Sequence, residues 1–378
     1  MMRLLKALCI AAALMFIPAA ADDGYEDNSI LISAEEAIKL IGNPNVMFVS
    51  GDNPDVYQLG HIKGSVEMYA HHLHHSDLAG EMHCKPLFRC IDDAEHYIGS
   101  KGISNETMII AYDDFKGPNA TGVYFFFKSY GHTNIKILNG GRNAIMELDP
   151  AQKIYNGIYA ELKAEKKVGK KAKKTLEKAK ETGEALPVEA ELKKVVADSK
   201  IRQKEISARL EAASVNLFVV KGDEHVEAKT YHINKDALDY SYIAGKEEVK
   251  TAMEDILKNG EDSKYVIVDT RAMSEIIGER KMDNVARGGH IPGATLLEWK
   301  KVSDLDRKLS FRKADELKKV FAHYNITPDK TVYAYCQVGA GRSTEIITAL
   351  KLLGYKNVKA YSGSWDEWGN DMSLPLKR

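Results

Sequence analysis

The chain repeats itself. The segment Ile109 to Gly141 matches Val332 to Ser364 without a gap, at an offset of 223 positions. Ala111-Tyr112 falls on Ala334-Tyr335, Thr121 on Thr344, Lys128 on Lys351, Gly131 on Gly354, Asn134 on Asn357, Lys136 on Lys359 and Gly140 on Gly363. Each copy reads as a short apolar strand, a polar loop, an amphipathic helix ending at a glycine, and a second short strand. A chain that repeats such a unit must build the same module twice. Upstream, each copy also carries a strand followed by a Gly-His-Ile turn: Val46 to Val49 then Gly60-His61-Ile62, and Tyr265 to Asp269 then Gly289-His290-Ile291. Strands alternating with helices predict two α/β domains on mostly parallel sheets, over residues 30–150 and 246–378.

The most informative position of the repeat is a mismatch. Asp113 stands where the second copy has Cys336, so one module has a candidate nucleophile and the other lacks it. Between the modules, residues 151–213 shift to Lys, Glu and Ala, with a break at Thr182-Gly183 and Pro187. Helix formers dominate, which predicts an antiparallel pair of charged helices, followed by a linker over 214–245. The insertion reads either as a solvated spacer or as an arm that docks a protein partner or an anionic surface.

The net charge of -1 gives no overall electrostatic footprint for nucleic acid or membrane, so any basic patch must be local. Arg3 and Lys6 precede the apolar run Ala7 to Pro18, and Ala19 to Ala21 supply small residues before Asp22. Residues 1–21 therefore read as a secretory signal peptide cut after Ala21, and the apolar run is shorter than the ~20 residues of a spanning helix. The expectation is a periplasmic or secreted protein with no stable membrane insertion. In an oxidising compartment Cys84 and Cys90 are close enough in sequence to pair, an option that spacing leaves open, and Cys336 is the thiol left over.

Cys336 ends a strand and precedes Gln337-Val338-Gly339-Ala340-Gly341-Arg342-Ser343, where a helix begins. Two glycines let the loop curl with its amide groups inward, and the helix start adds its positive end. The cradle suits an anion and also stabilises a thiolate, making Cys336 a nucleophile. A buried cysteine at a strand end is otherwise a small hydrophobe, but a filler needs no glycine-rich loop or following arginine.

With these residues on view, the chain resembles the tandem-domain rhodaneses of the thiosulfate sulfurtransferase family. The resemblance rests on Val268-Asp269-Thr270-Arg271, Gly288 to Ala294, the loop from Tyr335 to Ala340, and Tyr361-Ser362-Gly363-Ser364-Trp365-Asp366-Glu367-Trp368-Gly369. It implies a double displacement through a persulfide on Cys336, from an anionic donor such as thiosulfate or polysulfide to a thiophilic acceptor. It also implies an amino-terminal domain without the cysteine, and it offers Arg271 as a donor-binding side chain, with an ion pair to Asp269 as the other role. Gln337, Val338, Gly339, Ala340, Gly341 and Arg342 are the remaining candidate donor contacts. The pattern departs from the family in one respect, because its loop cation comes late, at Arg342.

The spacing Cys336-x5-Arg342 is also that of cysteine-dependent phosphatases and arsenate reductases, which leaves oxyanion chemistry as a second reading. A sulfur carrier without turnover is a third. His71, His72, His74, His75, His83 and Cys84 crowd one stretch, but adjacent histidines diverge in regular structure, so a polar surface loop is expected and no metal. His61 and His290 recur at the same turn and read as fold residues, and Trp365 and Trp368 as packing beside the loop. The sulfur chemistry requires no cofactor.

Overall fold

The computed structural model describes residues 23–75, 90–182 and 188–378. The signal segment, His83 and Cys84 lie outside them, as do the side chains of His74 and His75. Cys90 is disulfide-bonded and Cys336 is a free cysteine.

The first module contributes β1 (Leu31–Ile32), β2 (Val46–Ser50), β3 (His61–Ile62), β4 (Val66–Glu67), β5 (Met108–Tyr112) and β6 (Ile135–Leu138). Five of these form a parallel sheet in the order β1-β6-β5-β2-β4. Beyond the insertion come β7 (Val219–Val220), β8 (Ile243–Ala244), β9 (Tyr265–Asp269), β10 (Thr295–Leu296), β11 (Thr331–Tyr335) and β12 (Val358–Tyr361). Their sheet, β10-β9-β11-β12-β8, is parallel as well and repeats the first strand for strand. Helices cover both faces, so the central strands are apolar throughout: Ile109, Ile110 and Ala111 are fully buried, as are Val332 and Ala334. The equivalence reaches single hydrogen bonds. Tyr112 accepts the Ile62 amide on its hydroxyl and Tyr335 accepts that of Ile291, each at 3.1 Å. His61 and His290 bond the carbonyls of Tyr57 and Ile276, each at 3.0 Å, the fold role expected of the Gly-His-Ile turn.

The modules meet along the helices Pro118–Ser129 and Arg342–Leu352. Thr121 Oγ1 and Thr344 Oγ1 touch at 2.9 Å, and their separation of 223 positions is the repeat offset itself. The local two-fold of the repeat therefore passes between these two hydroxyls, as in an isologous dimer.

The insertion is an antiparallel pair, Pro150–Thr182 and Glu189–Ser214. Glu161 pairs with Arg209 and Glu165 with Arg202, both at 3.0 Å, across a seam that buries Leu162, Ala172, Ser199 and Ile206. Gly169 allows the close approach, because a Cβ there would stand 2.6 Å from Ser199 Oγ.

The segment read as a linker is docked along its early part. β7 pairs antiparallel with β3, and the Lys229 amide donates to Gly99 O at 2.9 Å. Tyr231 is buried against His132, with its hydroxyl 3.1 Å from Nδ1. At the other end, residues 23–26 cross the second module first: Asp23 O accepts the Ala314 amide and Leu352 O accepts that of Glu26, both at 2.9 Å. Each module is thus strapped by chain that sequence order assigns elsewhere.

Candidate active site in the second domain

Parallel sheets present their carboxyl ends to ligands. Cys336 lies there, one residue beyond β11, the middle strand of its sheet. The thiol is 1% exposed. Its amide donates to Ser364 Oγ at 3.1 Å, its Sγ lies 3.1 Å from Ala340 O, and the Ser343 hydroxyl reaches Sγ at 3.5 Å.

The loop curls tightly because of its glycines. Gly339 has φ +80°, and a Cβ there would stand 2.2 Å from Ser362 O; Gly341 has φ +75° and starts the helix. The amide groups of Val338, Gly339, Ala340 and Gly341 have no protein acceptor among the described residues. Unpaired amides beside a sulfur make an anion site. Gln337 turns away from it: its side-chain amide donates to Asp366 at 3.2 Å, and its carbonyl accepts the Asp366 amide.

Arg342 stands at the helix start, gripped through two bonds by the carboxylate of Glu275, at 2.7 and 3.2 Å. Burial alone would raise the Glu275 carboxyl, but Arg342 outweighs it and holds the group below its ordinary range. For Arg342 burial opposes the charge, and Glu275 with the neighbouring Cys336 restores it. The site thus carries a fixed cation within the field of the thiol.

Arg271 is placed differently from the other candidates. It is 1% exposed, bonded through two nitrogens to Asp269 and through one to Gly289 O at 2.7 Å. Its guanidinium lies 4.5 Å from the Trp365 ring centre and 5.6 Å from that of Tyr335. This is the ion-pair role, and the arginine braces the strand ends beneath the loop. Trp365 and Trp368 are buried, and each indole donates to a backbone carbonyl, of Arg287 and Pro375.

The structure thus brings Cys336, the loop from Val338 to Gly341 and Arg342 together, and leaves Arg271 and the Gln337 side chain aside. Sequence reasoning missed Glu275, Ser343 and Ser364. Ser364 adopts φ +48°, uncommon for a residue with a side chain, and uses its hydroxyl to hold the cysteine amide. Its place in the Gly-Ser-Trp motif was the available signal. Glu275 had none, since its partner lies 67 residues away.

The first module also touches this loop. Thr121 Oγ1 lies 3.4 Å from Gly341 O, and His71 Nε2 stands 3.6 Å from where a Cβ on Gly341 would sit. His71 stacks on Tyr69 and meets its hydroxyl at 3.1 Å. Among the described residues no group of histidines, cysteines and carboxylates could hold a metal.

Comparison with known proteins places this geometry. The chain is 27% identical over 376 residues to the thiosulfate sulfurtransferase of Corynebacterium glutamicum, covering 96% of this chain and 95% of that one. It is 26% identical over 369 residues to the sulfur carrier protein TtuD of Thermus thermophilus, covering 94% and 99%. In fold it resembles the anaerobic ergothioneine biosynthesis enzyme of Chlorobium limicola, solved with trimethyl histidine, at a TM-score of 0.59 and 19% identity over 92% of this chain and 69% of that one. The rhodanese-like domain matches residues 33–148 and again 252–371. The chain belongs to the rhodanese-like family, as a sulfurtransferase with two such domains.

Proposed function

We propose that the protein moves sulfane sulfur from an anionic donor, thiosulfate or polysulfide, to a thiophilic acceptor through a persulfide on Cys336. The observation that carries this reading is the loop that follows the thiol, whose amides from Val338 to Gly341 have no protein acceptor among the described residues. In the first half-reaction the Cys336 thiolate attacks the outer sulfur of thiosulfate. A sulfur–sulfur bond forms, the old one breaks, and sulfite departs with its electron pair. The new terminal sulfur carries negative charge, which the loop amides and Arg342 are disposed to stabilise. In the second half-reaction a nucleophile such as cyanide or a thiolate takes that sulfur and returns the thiolate.

The oxyanion reading asks Arg342 to bind a tetrahedral anion through both nitrogens. Those nitrogens are taken by Glu275, which favours sulfur transfer instead. The carrier reading keeps the same persulfide, and the name of the Thermus relative keeps it in view. The apolar run of residues 7–18 supports export to the periplasm or medium. No helix among the described residues is long and apolar enough to cross a membrane.

The test is steady-state thiocyanate formation from thiosulfate and cyanide. Parallel double-reciprocal lines, the signature of a double displacement, support the enzyme reading. A single stoichiometric release without turnover supports the carrier, and phosphate release from an aryl phosphate with no thiocyanate would displace both.

A further inference from the structure

The helix Pro150–Thr182 is charged on one side. Lys163, Lys166, Lys167, Lys170, Lys171 and Lys174 recur at the i, i+3, i+4, i+7, i+8 and i+11 spacing that places them on one helical face, over about 16 Å of axis. All are exposed. Leu162, Glu165, Gly169 and Ala172 occupy the opposite face, toward the second helix of the arm. Several of the arm's acidic groups are committed to other cations: Glu161 and Glu165 pair with Arg209 and Arg202 across the seam, Glu177 pairs with Lys173 and Glu189 with Lys193. None of the six stripe lysines forms an ion pair among the described residues. Six like charges on one face repel one another, so the arrangement lowers the stability of the isolated arm. An anionic surface would relieve that repulsion.

We propose that this lysine stripe docks the arm lengthwise on an anionic lipid bilayer, without insertion. The chemistry of the stripe favours a lipid surface over a protein. Lysines are mobile point charges, without the planar fork that arginine offers to a particular carboxylate or phosphate. Stretches 163–167 and 170–174 contain no aromatic side chain, and Val168, exposed between them, lies off the stripe. An interface with a folded partner is usually centred on aromatic or arginine anchors, and the nearest here, Tyr159, lies one turn before the stripe, stacked on Tyr155. A straight row of charges matches a plane. The arm's two helices pack chiefly on each other, so the stripe can meet that plane without disturbing either rhodanese-like domain. Each lysine near an anionic leaflet is worth roughly fivefold in adsorption, so six make a salt-sensitive peripheral anchor.

The test is co-sedimentation of the full mature chain with vesicles of phosphatidylglycerol and phosphatidylcholine in equal parts, beside phosphatidylcholine alone. Binding to the mixed vesicles only is expected, lost as salt shortens the screening length from about 30 Å at 0.01 M to about 3 Å at 1 M. The combined variant Lys166→Gln, Lys167→Gln, Lys170→Gln, Lys171→Gln should bind at least about tenfold more weakly. The same four changed to Arg should bind as wild type, and both variants should keep wild-type thiocyanate formation in solution. No sedimentation of the wild type would overturn the proposal. So would equal loss in a chain with Lys39, Lys258, Lys318 and Lys319 changed to Gln, or capture by polyglutamate without vesicle binding.

Discussion

The two halves of the molecule build the same loop and fill it differently. In the second domain the amides from Val338 to Gly341 follow the thiol in the loop and have no protein acceptor among the described residues. In the first, the Asp113 carboxylate stands at the cysteine's position and accepts from the amides of Gly117, Asn119 and Ala120, at 3.1 to 3.4 Å. The first domain therefore fills its loop with a carboxyl of its own. The comparison teaches that this strand–loop–helix turn collects amide donors by backbone geometry alone, and that a single residue decides whether a side chain fills it or a substrate must.

The surroundings follow the same division. Beside Cys336 stands Arg342, with Arg271 braced beneath the loop; at the corresponding positions of the first domain are Asn119 and Asp52, hydrogen-bonded to each other at 3.2 Å. The first loop is thus acidic where the second is basic. Burial, followed by the neighbouring carboxylates Asp52 and Asp114, raises the Asp113 carboxyl well above its ordinary value of 3.8. Asp52 and, across the domain interface, the fully buried Glu345 are raised by burial too.

The largest effect expected from breaking this contrast is at the sulfur itself. Cys336→Ser should lower thiocyanate formation on the order of 10³-fold or more, with the urea midpoint near that of wild type. Next, Arg342→Gln removes the site's cation and leaves the buried Glu275 with Arg280 and the Ala272 amide as its remaining partners. A loss of about 10²-fold in kcat/KM for thiosulfate is expected, with a smaller loss for a neutral persulfide donor. Equal losses for both donors would show that Arg342 serves structure alone.

A third expectation concerns pH. A carboxyl whose folded value is raised supports the fold fully below its unfolded value, and that support is lost as pH rises through the folded value. Asp113→Asn does not titrate, so it should gain on wild type, by up to about 4 kcal/mol in urea unfolding between pH 5 and pH 8. A constant difference across that range would place the Asp113 titration elsewhere. The smallest effect is the most pointed. Asp113→Cys added to Cys336→Ser should restore no measurable turnover, because the new thiol would face Asp52 and Asp114 rather than Arg342.

Much of this contrast was legible in the sequence, because it rests on local patterns. The offset of 223 positions exposed both modules, the mismatch at Asp113 and Cys336 marked the active one, and the glycines at 339 and 341 announced a curled loop. The charged helical pair followed from composition. What escaped depends on contacts between distant segments. Glu275 on Arg342, Ser364 on the Cys336 amide, and the docking of β7 on β3 join residues whose spacing carries no periodic signal. Arg271 shows the converse limit: its sequence neighbours fitted two roles, and only burial beneath the loop and against Trp365 distinguished them.

The central claim is that sulfur rides on Cys336 within the loop from Val338 to Gly341. Its most direct test is the intact mass of the protein after thiosulfate or polysulfide, with Cys336→Ser beside it, before and after cyanide. The account predicts a gain of about one sulfur atom on the wild type alone, removed by cyanide with release of thiocyanate. An unchanged mass with both donors, or an equal gain on Cys336→Ser, would contradict it.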